Sequence, residues 1–146
     1  MKTSSWLLSA LLAVSSVAVA PRAHADMTMN VEKLSSDGLE VRKLSCSLRD
    51  GGLLGSVMVV GSLAKQKKAF DGCAPAGAAF AVSFVWDAGK TKETKVTGST
   101  QAAGDACIVK AMQAVKPSVS GHCSAIILSG DKAKAEAAAK TLADKK

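Results

Sequence analysis

The clearest alternation of apolar and polar positions lies between residues 77 and 87. Its large side chains fall on every second residue, at Phe80, Val82, Phe84 and Trp86. This period of two predicts a β-strand with one buried face. An Asp-Ala-Gly-Lys turn follows at 87–90, and the Thr-rich segment 92–99 predicts a polar return strand. The two segments therefore form a predicted hairpin.

A weaker alternation opens the region that starts at Met27. Met27, Met29 and Val31 alternate with polar residues, and a Ser-Ser-Asp-Gly turn follows at 35–38. In the segment that follows, the alternation of apolar and polar positions shifts by one residue between Val41 and Leu44, which predicts a second strand with a β-bulge. The pattern indicates a leading hairpin.

Two segments have a helical period instead. Residues 53–72 combine an apolar face with a basic end, and Gly72 stops the predicted helix. Residues 106–115 have an apolar stripe at helical spacing, which predicts a second helix. Asp105, which precedes them, is the predicted N-cap. The apolar run Cys123–Leu128 predicts a last, interior strand. The order is β-hairpin, α, β-hairpin, α, β. We therefore expect an α+β fold: a small antiparallel or mixed sheet with two helices packed on one face and two disulfides.

The first 25 residues have the three parts of a secretory signal peptide. Lys2 supplies positive charge, 6–20 is apolar, and Ala-His-Ala at 23–25 suits signal peptidase. The alternative is an uncleaved signal anchor, but the apolar stretch is shorter than the roughly 20 residues that span a bilayer. We expect a signal peptide at 1–25, a domain at 26–130 and an Ala/Lys-rich helical or disordered tail at 131–146. No membrane span is expected after cleavage.

All four cysteines follow the predicted cleavage site. An even number in an exported chain indicates two disulfides, for which three connectivities exist. The predicted element order brings the residue before the first strand of the second hairpin close to the start of the second helix, which pairs Cys73 with Cys107. It places the residue before the long helix near the start of the last strand, which pairs Cys46 with Cys123. Free or metal-bound thiols are the alternative.

The net charge is +7, and removal of residues 1–25 lowers it by two because Lys2 and Arg22 are lost with no acid. Two groups of lysines are candidate binding residues. They are Lys90, Lys92 and Lys95 in the polar strand, and Lys65, Lys67 and Lys68 after the first apolar helix. A run of charges is also the usual composition of a solvated face. The chain has few aromatic residues, which disfavours stacking on nucleic-acid bases.

Catalytic motifs are not visible in the sequence. The one histidine after the predicted cleavage site, His122, precedes Cys123, and neighbouring residues on a strand point to opposite faces. The carboxylates are scattered, and no nucleophile elbow, phosphate loop or cluster of metal ligands occurs. We therefore expect a protein that is not an enzyme and needs no cofactor or metal.

The run from Gly77 to Val115 resembles a known family. Its strand, Asp-Ala-Gly turn, polar strand ending in Gly-Ser-Thr at 98–100 and cysteine-bearing helix are similar to the C-terminal domain of TonB and related motility proteins of predatory soil bacteria. The resemblance implies a small periplasmic module that binds protein partners, often by adding a strand to its sheet. Energy transduction is not carried over.

Three functions compete at this point. The first is an exported, periplasmic or extracellular, protein-interaction module with an envelope protein as partner. The second is a basic surface that binds an anionic polymer such as lipopolysaccharide, cell-wall polymer or nucleic acid. The third is a small enzyme or enzyme inhibitor. The sequence favours the first, because the polar strand offers an edge to which a partner could add a strand.

Overall fold

The computed structural model describes residues 26–49, 52–87 and 89–145. The predicted signal peptide lies outside these residues. Five strands form one antiparallel sheet in the spatial order β1-β2-β5-β3-β4. The strands are β1 (Met27–Ser36), β2 (Leu39–Leu48), β3 (Ala78–Asp87), β4 (Lys90–Ser99) and β5 (Gly121–Ser129). The helices are α1 (Gly55–Ala64), α2 (Lys67–Cys73), α3 (Asp105–Gln113) and α4 (Lys132–Ala143), with 3₁₀ turns at Gly52–Leu54 and Ala102–Gly104. The predicted α+β class is confirmed.

Both predicted hairpins are present. In the first, Ser36 pairs with Leu39, and Asp37 and Gly38 both have positive φ, as a two-residue hairpin turn of this kind requires. The predicted bulge is also present, because the pairing of β2 with β5 shifts between Arg42 and Ser45. Lys43, inside the bulge, has a φ of 48°.

One face of the sheet forms the main core. β3 buries Phe80, Val82, Phe84 and Trp86 on this face, as the alternation predicts. α1 packs over β1 and β2, whereas α2 lies against α3 and β5. This is the helical layer that the sequence predicts.

The long predicted helix is divided in two. α1 ends at Ala64 and α2 begins at Lys67, with Gln66 between them outside helical geometry. α2 is held by bonds to the end of β5: the Ser129 hydroxyl donates to the Phe70 carbonyl, and Asp71 accepts from the Gly130 amide. These tertiary bonds set the direction of α2 independently of α1.

The start of α3 also differs from the prediction. Gly104 holds the N-cap position, and Asp105 is the first residue of the helix. The Asp105 Oδ1 atom is buried without a hydrogen-bond partner in the described structure. The prediction that Asp105 caps the helix is therefore wrong.

The tail is a docked helix. The sequence left open a helical or a disordered segment at 131–146, and Leu142 is its only large apolar residue. The structure instead buries Ala135 and Ala139 of α4 against the second face of the sheet, where they meet Ile126 and Leu128. Alanine side chains let the helix backbone approach the sheet closely, so large apolar residues are not needed. Asp131 caps the helix by accepting from the Lys134 amide at 3.0 Å.

Both predicted disulfides are confirmed. Cys46 and Cys123 are direct cross-strand neighbours on β2 and β5, with Cα atoms 4.1 Å apart and both residues 1% exposed. Cys73, at the end of α2, is bonded to Cys107 in the first turn of α3. Cys107 is exposed. One bond therefore joins two strands inside the core, and the other joins the buried end of α2 to an exposed residue of α3.

Candidate functional site

The predicted lysines of the polar strand lie on an edge of the sheet. Among the described strands, β4 pairs only with β3, and Lys90, Lys92 and Lys95 are exposed on it. Lys95 donates to Glu93 at 2.6 Å, and this hydrogen bond and the nearby negative charge raise the pKa of Lys95. Both partners are largely exposed, so the ion pair stabilises the fold little.

The second lysine group lies in the helical layer, on a different part of the molecule. Lys65 and Lys68 are exposed, whereas Lys67 is half-buried and forms an ion pair with Asp71. The Lys67 side chain also lies against Gly38 in the turn of the first hairpin. Lys67 therefore supports packing, and Lys65 and Lys68 remain the accessible cations of this group.

The exposed apolar residues are concentrated at one place. Among the described side chains, the large hydrophobic residues that are exposed are Leu54 (68%), Val57 (54%) and Met58 (37%). Leu54 ends the 3₁₀ turn that leads into α1, and Val57 and Met58 in the first turn of α1 follow it by three and four residues. This spacing places both near Leu54 on one side of the helix. We call these three residues the α1 stripe. The opposite face of α1 buries Val59, Val60 and Leu63 in the core.

The strand beside α1 is the other edge of the sheet. β1 pairs with β2 without a register shift and has no second neighbour in the described sheet. Its first five residues, 27–31, carry no charge, and Met29 and Val31 are half-buried against the core. The backbone groups on the outer side of β1 are thus available for pairing with another strand.

The two edges differ in how well they resist such pairing. The register of β3 with β4 shifts twice, at Ala81/Val82 and at Val85/Trp86. Bulges and lysines are features by which natural edge strands avoid pairing with other chains, and β4 has both. The polar strand is an edge, as the sequence indicates, but β1 is the less protected of the two.

The second face of the sheet contains a cavity beside the C-terminal end of α4. It measures about 560 Å³, and its floor is formed by Ile126, Ala139 and Ala143. Arg42 and Lys43 of β2 line it from the sheet side. The remaining lining residues are charged and come from β1 and from the end of α4: Glu32, Lys33, Lys140 and Asp144.

A buried carboxylate holds two of these cations. Glu40 is 7% exposed and accepts from Lys33 Nζ at 3.0 Å and from Arg42 Nε at 2.7 Å. Burial alone would raise the pKa of Glu40, but the hydrogen bonds and positive charges of Lys33 and Arg42 outweigh burial and lower it. Glu40 is therefore ionised in the folded protein at neutral pH.

Next to the cavity, a row of polar side chains crosses the whole sheet. The strand register aligns Asn30, Ser45, Ser124, Ser83 and Lys95, one from each strand. A second open depression of about 530 Å³ lies over Asn30, Ser45 and Ser124, and it shares Glu32 and Lys43 with the first. We call the two depressions together the second-face trough.

Sequence reasoning missed both the α1 stripe and the trough. The stripe lies within the segment predicted as one long helix at 53–72, and its exposure depends on where the helix lies on the sheet. One sequence feature did indicate part of the trough. The alternation of apolar and polar positions breaks between Val41 and Leu44, and this break marks the bulge that contains Lys43. Because residues 131–146 were predicted as a tail outside the domain, the wall that α4 adds to the trough was not anticipated.

The four cysteines form disulfides and none is free. His122 is exposed on the face of β5 opposite to Cys123, which is buried. Within residues 26–145, apart from the omitted positions, no helix is long and apolar enough to cross a membrane.

No protein-family model matches the chain, and comparisons with curated proteins and with solved structures give no significant match. The resemblance to the TonB C-terminal domain therefore stays a prediction.

Proposed function

We propose that this chain is an exported, non-enzymatic protein-interaction module that binds a partner along β1 and the α1 stripe. The α1 stripe is the observation that carries the proposal. Contiguous exposed apolar side chains on a soluble domain commonly mark an interaction surface. Two disulfides are compatible with a non-cytoplasmic location, and the predicted signal peptide supports export.

The gain from covering the stripe is substantial. Full burial of a Val, Leu or Met side chain stabilises a complex by about 1.5–3 kcal/mol relative to exposure. Leu54 and Val57 are each more than half exposed. The stripe can thus contribute a few kcal/mol before the cost of association is subtracted.

The neighbouring edge supports the same surface. α1 packs directly on β1, so a strand added to β1 would lie beside the helix that carries the stripe. Main-chain hydrogen bonds would supply affinity, and side chains that contact the stripe would supply selectivity. Since 27–31 carry no charge or bulge, this part of β1 is the section best suited to pairing.

Charge indicates the character of the partner. Lys65 lies seven residues after Met58, on the same helical face as the stripe, and is exposed. Lys68 is exposed on the next helix. A partner segment with apolar residues for the stripe and acidic residues for these lysines is complementary to the surface. We therefore propose an acidic envelope protein that contributes an extended segment.

Position-specific photo-crosslinking in the cells that make the protein tests this proposal. A photoreactive amino acid at Val57 should yield one discrete product with an acidic protein, whereas the same group at Lys92, on the opposite edge, should not. The Val57 site has enough exposure to accept the change.

Matched variants separate a specific complex from incidental capture. With the photoreactive group at Thr28, Val57→Asp and Asn30→Asp should each reduce the product at least tenfold. Lys92→Asp introduces the same acid on the far edge and should change it less than twofold. The proposal would be contradicted if the three variants reduced the product equally. It would also be contradicted if the product had twice the mass of the chain, or if no product formed.

A further inference from the structure

We infer that the second-face trough is a binding site for an anionic saccharide, that is, a sugar bearing a carboxylate or phosphate group. The trough lies on the sheet face opposite to the helical layer that carries the α1 stripe. The inference does not depend on the proposed protein partner.

Arg42 supplies the first argument. Its side chain is 20% exposed, and its Nε donates to Glu40. Within the described structure, the Arg42 bond to Glu40 is made by Nε and not by the two terminal nitrogens of the guanidinium group. The side chain lines the cavity. A guanidinium group offers five donors and pairs well with carboxylate or phosphate. The orientation set by Glu40 thus leaves donors for an anion inside the cavity.

The β-bulge supplies the second argument. Lys43 has a φ of 48°, an uncommon conformation for a non-glycine residue. Bulges often redirect a side chain near a functional site. Here the Lys43 Nζ reaches the Ala143 carbonyl at the end of α4, at 3.4 Å. Lys43 therefore bridges the two walls of the cavity, and Lys140 adds a further cation from α4.

The remaining lining distinguishes a sugar from a simple anion. Glu32 and Asp144 also face the cavity, and carboxylates accept hydrogen bonds from hydroxyl groups but repel a bare anion. The trough continues over Asn30, Ser45 and Ser124, whose amide and hydroxyl groups both donate and accept. A saccharide with many hydroxyl groups and one acidic group is complementary to this arrangement of donors and acceptors.

The apolar lining of the trough is small. Ile126, Ala139 and Ala143 form the floor of the cavity, and Val31 and Leu44 add to the second depression. These few side chains offer too little surface for a long acyl chain. Within the part of the chain that the structure describes, the trough is lined by no aromatic residue, so base stacking is not offered. The cavity volume of about 560 Å³ lies in the range of small-ligand sites.

Calorimetric titration of the disulfide-bonded protein with defined saccharides tests the inference. A galacturonate hexamer provides carboxylates, a phosphorylated mannose oligosaccharide provides phosphate, and a neutral galactose hexamer is the reference. At least one anionic saccharide should bind tenfold more tightly than the neutral one. Which of the two binds more tightly identifies the acidic group.

Two double variants with equal loss of charge provide the control. Lys43→Asn with Lys140→Ser removes two cations from the trough, and asparagine tolerates the positive φ of residue 43. Lys90→Ser with Lys92→Ser removes two cations from the far edge. The first pair should weaken binding at least tenfold and the second less than twofold. Equal losses would show general attraction of a polyanion to a basic protein and would overturn the inference.

Hydroxyl removal tests the sugar itself. Ser45→Ala with Ser124→Ala should weaken binding of the anionic saccharide at least threefold and leave binding of polyglutamate unchanged. If polyglutamate binds as tightly as the saccharides, or if the serine variant binds them normally, the saccharide assignment is wrong.

Discussion

Removal of the two disulfides one at a time tests the structural basis of the domain. Cys46–Cys123 closes a sequence separation of 77 residues and Cys73–Cys107 one of 34 residues, with the second loop nested inside the first. The chain-entropy relation gives about 4 kcal/mol for each. Because the dependence on loop length is logarithmic, the two contributions should differ by less than about 1 kcal/mol. Alanine is the suitable replacement, since serine at the buried pair would add an unpaired hydroxyl.

Thermal and urea unfolding followed by circular dichroism measure the loss. We expect Cys46→Ala with Cys123→Ala, and Cys73→Ala with Cys107→Ala, each to lower Tm by roughly 10–20 °C. The free energy of unfolding of a domain this size is about 5–15 kcal/mol, which exceeds the loss of about 4 kcal/mol, so each variant should remain folded near room temperature. A Tm within about 3 °C of the parent protein for either variant would refute the argument that the disulfides restrain the denatured chain.

Three further results are expected. Mild reduction followed by alkylation and mass mapping should label Cys73 and the exposed Cys107 before the buried pair. Gly130→Ala should lower the free energy of unfolding by about 2–4 kcal/mol in urea titrations, because φ is +77° and an added Cβ would lie 2.0 Å from the Ala74 carbonyl oxygen. Glu40 has a folded-state pKa below its usual 4.5, so its stabilisation is present above that value and is lost as pH falls through the folded pKa. Glu40→Gln should therefore cost about 1–2 kcal/mol at pH 7, and this difference should shrink below pH 4.5 in matched unfolding curves.

Local patterns were enough to predict the hairpins and the disulfides. The alternation from Phe80 to Trp86 and the Asp37-Gly38 turn determine backbone geometry over a few residues, and the structure has both. The element order then limited which cysteines could meet. The pairing of Cys46 with Cys123 has a more direct cause than the one we inferred, because β2 and β5 are neighbours in the sheet.

Long-range packing was not visible in the sequence. The position of α4 depends on contacts of Ala135 and Ala139 with a flat part of the sheet, and alanine carries little signal of burial. The division between α1 and α2 depends on the bonds of Phe70 and Asp71 to the end of β5. Both candidate surfaces depend on these placements. The binding residues predicted from the sequence are therefore lysines that lie outside the α1 stripe and outside the trough.

The intact mass of the protein isolated from its own cells tests the central claim most directly. If the chain is exported and then closed by its disulfides, the isolated form begins at Asp26, and its four cysteines react with an alkylating reagent only after reduction. A form that still begins at Met1, or four cysteines that alkylate without reduction, would contradict an exported interaction module.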